Sequence, residues 1–317
     1  MKVETTRVAV PLRLRHAAGF FCSPDDLVAQ LLPLIGTLLE RGEPVALSVR
    51  PATERALHTA LGNPAGLIVL AEPHPFTRGS GQTTAVRRAR ELRELTSESG
   101  HVTVVAEHDN RLDGVDGRYW TEFDAAANIA LGDLPVSLLC FYPELPLHLE
   151  ILDGARRNHP LLLVDGEFRH NPAHRLPREV LEATPTPAPA LLGPPDVQLT
   201  YTAWQLREVR TAVANLLTGT SFTPARIEDI VLAINEIATN AVEHGTREAQ
   251  LSLWLSADGL VCEVHDGGTL ADPLPGLRAP RPTDPRGRGM WIARQLCDLL
   301  HVWQDRAGTH VRLHASP

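Results

Sequence analysis

The chain has 317 residues, enough for two domains with a sizeable core in each. Apolar residues make up 43% and charged residues 21%, the balance of a folded globular protein. Formal net charge is -8 and no basic run occurs, which argues against a nucleic-acid-binding surface. No run reaches the ~18–20 apolar residues of a spanning helix, and the start, MKVETTRVAVPLRLRH, has no apolar signal core. Cys22, Cys140, Cys262 and Cys297 are scattered without CxxC spacing, so a reducing, cytoplasmic setting is expected. Cys140 and Cys262 sit in apolar strand-like runs and read as buried free thiols.

Up to about residue 180, short apolar runs alternate with helical patterns. The runs Val45–Val49, Leu67–Ala71, Val102–Ala106, Ser137–Phe141 and Leu161–Val164 lack alternation, as strands buried on both faces do. Between them lie helices predicted over Pro24–Arg41, Pro51–Leu61, Thr83–Thr96, Tyr119–Leu131 and Pro146–Arg157. Ser23 caps the first, with Pro24 in its first turn and Asp25 and Asp26 favouring its dipole. The alternation predicts an α/β domain with a mostly parallel sheet. Ligands bind such sheets beyond the carboxyl ends of strands, where Glu72, Glu107, His108, Asp109 and Tyr142 stand. Those residues read more simply as loop polar groups. No GxxxxGK[ST] occurs, so a P-loop is absent. No two histidines pair four apart on a predicted helix, which gives a metal site little support. None on a predicted helix is followed directly by an acid, as a phosphoacceptor histidine usually is; His148, two before Glu150, comes nearest there, and the His108-Asp109 and His265-Asp266 pairs stand at strand ends.

The stretches HAAGFFCSPDDL and VTVVAEHDNRL resemble the MEDS sensory domain, a degenerate relative of RecA-like ATPases, over about residues 14–160. The resemblance implies sensing or partner contact and transfers no catalytic motif. Residues 183–196, ATPTPAPALLGPPD, carry five prolines and read as a semi-rigid spacer. The expected organisation is therefore a sensory domain over 1–182, a linker over 183–196 and a second domain over 197–317.

The second domain opens with a helix predicted over Trp204–Thr218. The next, Thr223–Gly245, has both ends marked: Thr223 as N-cap, Pro224 in the first turn and Gly245 as stop. Ile227, Ile230, Val231, Ile234, Ala238, Ala241 and Val242 make its apolar face. Glu236 and Asn240, four apart, share another face. A carboxylate beside a carboxamide can hold Mg²⁺ through oxygen and activate a nucleophile, although a solvated polar face would look the same. Alternating residues around 251–256 predict a half-buried strand, Asp258-Gly259 a hairpin turn, and Leu260–His265 the returning strand. Asp266 then precedes two glycines. Residues 269–286 show no apolar periodicity, and loops of this length are usually functional or disordered. A helix is expected over 289–300 and a closing hairpin over Val302–Asp305 and His310–His314. These elements predict a two-layer α/β sandwich with helices on one face.

Glu236-x-x-x-Asn240, Asp266-x-Gly268, Gly287-x-Gly289 and Gly308-Thr309 occur in the order and spacing of the GHKL ATPase superfamily. The wording NAVEHG and GRGMWIARQLCD is similar to its anti-sigma serine kinase branch, over roughly residues 197–317. One departure is Leu270, where the family often shows a second glycine. The resemblance implies a Bergerat-type fold that binds ATP and Mg²⁺. It implies that Glu236 is the general base, that Asn240 ligates Mg²⁺, and that Asp266 reads adenine with Gly268 giving room. It implies nucleotide contacts from Arg286, Gly287, Arg288, Gly289, Met290 and Thr309, and a lid formed by 269–286. The function implied is an ATP-dependent protein serine/threonine kinase and anti-sigma factor. Its partners would be a sigma factor and a STAS-type antagonist, with room for a homodimer and no contact with nucleic acid or membrane. Two other readings stand beside it: a sensor kinase phosphorylating its own histidine, and a nucleotide-gated binding module without catalysis.

Overall fold

One interior strand of the first sheet is concealed by its composition. Arg15–Phe21, β1, reads RHAAGFF, without a β-branched residue, yet it lies between two parallel partners. The computed structural model describes residues 13–71, 80–113, 116–183, 189–270, 272, 274–281 and 287–317. After β1 come α1 (Pro24–Glu40), β2 (Val45–Ser48), α2 (Pro51–Leu61), β3 (Leu67–Val69) and α3 (Gly81–Ser99). Then follow β4 (Val102–Glu107), α4 (Arg118–Ala130), β5 (Val136–Pro143), α5 (Leu149–Asn158), β6 (Leu161–Val164), β7 (Glu167–His170) and α6 (Pro177–Ala183). The remainder is β8 (Val197–Thr202), α7 (Leu206–Leu217), α8 (Pro224–Asn240), β9 (Glu248–Ser256), β10 (Gly259–Asp266), α9 (Gly289–Leu296), β11 (Leu299–Asp305) and β12 (Gly308–Ala315).

The elements fall into two compact units. The first comprises Met1–Glu72, Glu91–Arg111 and Leu131–His174; the second comprises Pro73–Arg90, Leu112–Ala130 and Arg175–Pro317. In the first unit the strand order is β3-β2-β4-β5-β1-β6-β7. Every pairing is parallel except β6 with β7. The expected parallel α/β architecture is therefore present. Ser23 Oγ accepts from Asp26 N at 3.1 Å and starts α1 as the sequence predicts. Leu27, Leu31 and Ile35 of α1 and Leu57 of α2 pack with Val45, Leu47, Val105 and Leu139 of the strands.

The second unit contains an antiparallel sheet in the order β11-β12-β10-β9-β8. Leu251 and Leu253 of β9 and Leu260, Cys262 and Val264 of β10 turn to a core that α7, α8 and α9 complete. α8 is central, touching both α7 and α9, and it buries Ile230, Ala233, Ile234, Ile237 and Ala238. Each of the three buried isoleucines contributes ~1.5–3 kcal/mol relative to exposure. The buried Tyr201 hydroxyl of β8 donates to the Ala238 carbonyl at 3.2 Å, tying the helix to the sheet. The described residues 189–196 run along this sheet: Trp254 Nε1 donates to Gly193 O and Arg312 Nη1 to Ala190 O, each at 2.8 Å.

Two local expectations need correction. The helix predicted over 289–300 stops at Leu296. Cys297 turns to extended dihedrals, Asp298 N donates to His314 O, and Leu299 and Leu300 pair with β12. Leu296, Leu299 and Leu300 fit a helix face and a strand equally, and pairing in the sheet decides. The helix ending at Gly245 is α-helical only to Asn240, after which residues Ala241–Gly245 form a π turn. β1, β7, β8 and α6 are additional to the elements predicted.

Candidate functional site

Thr223 Oγ1 accepts from Arg226 N at 3.2 Å and fixes the start of α8. Burial of the apolar face then dictates where the polar face points. Glu236 and Asn240, one turn apart and half-buried, both face Gly289 at the start of α9. A Cβ at position 289 would stand 2.7 Å from Glu236 Oε2 and 3.1 Å from Asn240 Nδ2. Only a glycine leaves those side chains in place.

The π turn carries the chain from Asn240 to Gly245, whose Cα backs onto the Asp266 carboxylate so closely that a Cβ there would collide with Oδ1. Asp266 closes β10 and is buried at 8% exposure. Its Oδ1 accepts from Gly268 N at 2.7 Å. In the antiparallel register Asp266 stands opposite Thr309 of β12, and Thr309 Oγ1 donates to Gly268 O at 3.1 Å. The DGG turn, the last strand and the end of the π turn thus form one rigid corner.

A cavity of about 450 Å³ joins this corner to α9. Asn240, Asp266, Gly287, Gly289, Met290 and Thr309 line it, so six of the ten residues singled out in the sequence border one space. Gly268 supports the wall through Asp266 and Thr309, and Glu236 stands behind Gly289. Arg288 is exposed at the N-cap position of α9. Arg286 lies outside the described residues. Leu270, at the departure from the family pattern, also lines the cavity.

Residues missed in the sequence complete the wall. His244, in the π turn, lines the cavity. So do Pro275 and Gly276, from the described part of the segment expected to be a lid. Leu274 and Leu277 of that segment are buried. Arg294, only 1% exposed, donates Nε to the Pro275 carbonyl at 2.9 Å and pins the segment to α9. Burial pulls the Arg294 pKa down to about 10, which leaves the guanidinium charged at neutral pH.

In the first unit, two of the strand-end residues form ion pairs. Glu107 is buried, accepts from Arg50 N at 3.0 Å and forms a short ion pair with the Arg50 guanidinium. Asp109 is held by Arg111 at 2.8 Å. Glu72 lies outside the described residues. His148 is the N-cap of α5, its Nδ1 accepting from Glu150 N at 3.1 Å. No described helix is long and apolar enough to cross a membrane.

Residues 199–315 match the family model of the histidine kinase-like ATPase domain. The chain carries a histidine kinase-like ATPase domain at its C-terminal end. Residues 15–160 match the MEDS model, the methanogen/methylotroph, DcmR sensory domain. A solved structure, the RsbU and RsbW domains of Rv1364c from Mycobacterium tuberculosis, aligns at 23% identity with a TM-score of 0.27. That alignment covers 38% of this chain and 33% of the other, so this chain spans about a third of its length. No curated protein matches the chain. The ATPase domain implies ATP binding, and its cavity volume falls within the ~300–1,000 Å³ typical of small-molecule sites.

Proposed function

We propose that this chain is an ATP-dependent protein serine kinase of the anti-sigma type, regulated by its sensory half. It would phosphorylate a STAS-type antagonist and sequester a sigma factor when that antagonist is phosphorylated. The observation that carries the reading is the position of Gly289. Its missing side chain leaves room for Asn240, which lines the cavity that Asp266 and Thr309 also border, and for Glu236, one turn earlier and behind Gly289.

The residues present fit ATP with Mg²⁺. Asp266, buried and already accepting from Gly268 N on Oδ1, keeps acceptor capacity for the exocyclic amine of adenine. Backbone amides at Gly287 and Gly289, at the N-terminal end of α9, suit phosphate oxygens. The Asn240 side-chain oxygen would ligate Mg²⁺, a hard cation that prefers oxygen. Bound Mg²⁺ supplies charge neutralisation to the phosphates. Glu236 would take the proton from the attacking serine hydroxyl, and Asn240, one helical turn on, would keep the reactants in register. Arg288 at the N-cap of α9, and Arg286, would add phosphate contacts.

Incubation with γ-labelled ATP and a candidate antagonist tests the reading. Acid-stable label on the antagonist is the expected result. Acid-labile label on this chain would instead indicate a histidine kinase. Absence of label with ATP still bound would indicate a nucleotide-gated binding module.

A further inference from the structure

Three side chains far apart in the sequence meet inside the first unit. His16 lies on β1, Cys140 on β5, and His159 just after α5. β1 pairs in parallel with β5, His16 opposite Leu138 and Ala18 opposite Cys140. Side chains two apart on neighbouring strands share a sheet face, so His16 and Cys140 fall on the same side. On its other edge β1 meets β6 with Ala17 opposite Leu161, and His159 stands two residues before Leu161. All three side chains are buried, His16 and His159 at 0% exposure and Cys140 at 3%. One ring nitrogen of each histidine and the Cys140 sulfur lie within 4.8 Å of one another.

We propose that His16, Cys140 and His159 form a metal site for a zinc-class transition-metal ion, bound through one thiolate and two neutral imidazoles.

The donor set selects the cation. Thiolate with imidazole suits zinc and its borderline-soft neighbours, whereas Mg²⁺ and Ca²⁺ require oxygen. The spacing suits it as well. Ligands ~2.3 Å (sulfur) and ~2.0–2.1 Å (nitrogen) from a tetrahedral ion stand about 3.5 Å apart. Cys140 Sγ and His16 Nε2 are separated by 3.5 Å. The rings of His16 and His159 lie with centroids 4.0 Å apart.

The surroundings set the second imidazole up as a ligand. His159 Nδ1 lies 2.7 Å from the Ala155 carbonyl oxygen, and donation there places the lone pair on Nε2. A backbone carbonyl holding the non-ligating nitrogen is the usual support for a metal-bound histidine. A thiol–imidazole hydrogen bond alone would explain the 3.5 Å contact, but it would not require a second buried imidazole at the same point. Sequence spacing could not reveal the cluster, because each ligand comes from a different element.

The test uses full-length protein stripped with a chelator and titrated with Co²⁺ as a spectroscopic stand-in. The expected result is one equivalent bound, with intense tetrahedral visible bands and a thiolate-to-cobalt charge-transfer band, both abolished by one equivalent of Zn²⁺. Cys140→Ser should remove the charge-transfer band, and His159→Gln should weaken binding at least tenfold. Cys22→Ser, at the exposed cysteine, should leave both unchanged. A band that survives Cys140→Ser, or that vanishes with Cys22→Ser, overturns the proposal. Should Cys140→Ser fail to fold, the wild-type spectrum still decides: Co²⁺ bound without a charge-transfer band, or no saturation at one equivalent, contradicts the site.

Discussion

Gly289 stands so close to Glu236 that a Cβ on it would lie 2.7 Å from Glu236 Oε2. The atom in the way is the far end of a flexible side chain, so the fold can absorb a methyl group by moving the carboxylate. The chemistry cannot, because ~1 Å of misplacement can cost ~10²-fold in rate. Gly289→Ala should therefore melt within a few degrees of wild type and lose at least tenfold in phosphoryl transfer. Paired thermal melts and initial-rate assays check this. A variant with wild-type turnover would mean that the Glu236 carboxylate does not act beside Gly289.

Glu236→Ala separates binding from transfer. The side chain is not in the cavity wall, so ATP affinity should change little. Transfer to the antagonist should fall by roughly 10²–10⁴-fold, the contribution of a general base. Nucleotide competition and label transfer on the same sample read the two quantities. Retained turnover would remove Glu236 from the mechanism.

Asp266→Asn tests the opposite end of the cavity. Asparagine can still accept from Gly268 N through its oxygen, so the corner should hold. What is lost is the charge behind a hydrogen bond to the ligand, worth ~1.5–3 kcal/mol. ATP affinity should drop by roughly 10- to 150-fold while GTP affinity changes less. Equal loss for both nucleotides would show that Asp266 serves the fold rather than the base.

His301, on β11, gives the account a pH dependence. Burial first, then the charges of His314, Arg294 and Arg312, bring its pKa down to about 4 from an ordinary 6.5. Its two ring nitrogens have no hydrogen-bond partner among the described residues. The unfolded chain therefore takes up a proton at a pH where the folded one does not. Stability falls as pH drops from about 6.5 towards 4, and this component is absent above 6.5. His301→Phe should remove it, gaining on the order of 1 kcal/mol over wild type at pH 5 relative to the difference at pH 8. Urea unfolding at the two pH values measures the change; an identical increment at both would rule out titration of His301.

These predictions rest on residues of unequal visibility in the sequence. Glu236 and Asn240 were legible because the helix period alone puts them on one face, and Asp266 because a strand ends on it. Their meeting was legible only through the family resemblance, not from periodicity or spacing. It depends on the π turn Ala241–Gly245 bringing the helix end against Asp266, and on α9 presenting Gly289 to α8. β1 escaped because RHAAGFF offers small residues where strands usually carry branched ones. Arg294 escaped because its partner, the Pro275 carbonyl, is backbone and leaves no side-chain signal.

The most direct test of the central claim is calorimetric titration of ATP into the full-length protein, with and without Mg²⁺, beside Asn240→Ala. One site per chain and tighter binding with Mg²⁺ are expected in the wild type, a gain that Asn240→Ala abolishes. Absence of saturable ATP binding, or an undiminished Mg²⁺ gain in Asn240→Ala, would contradict it.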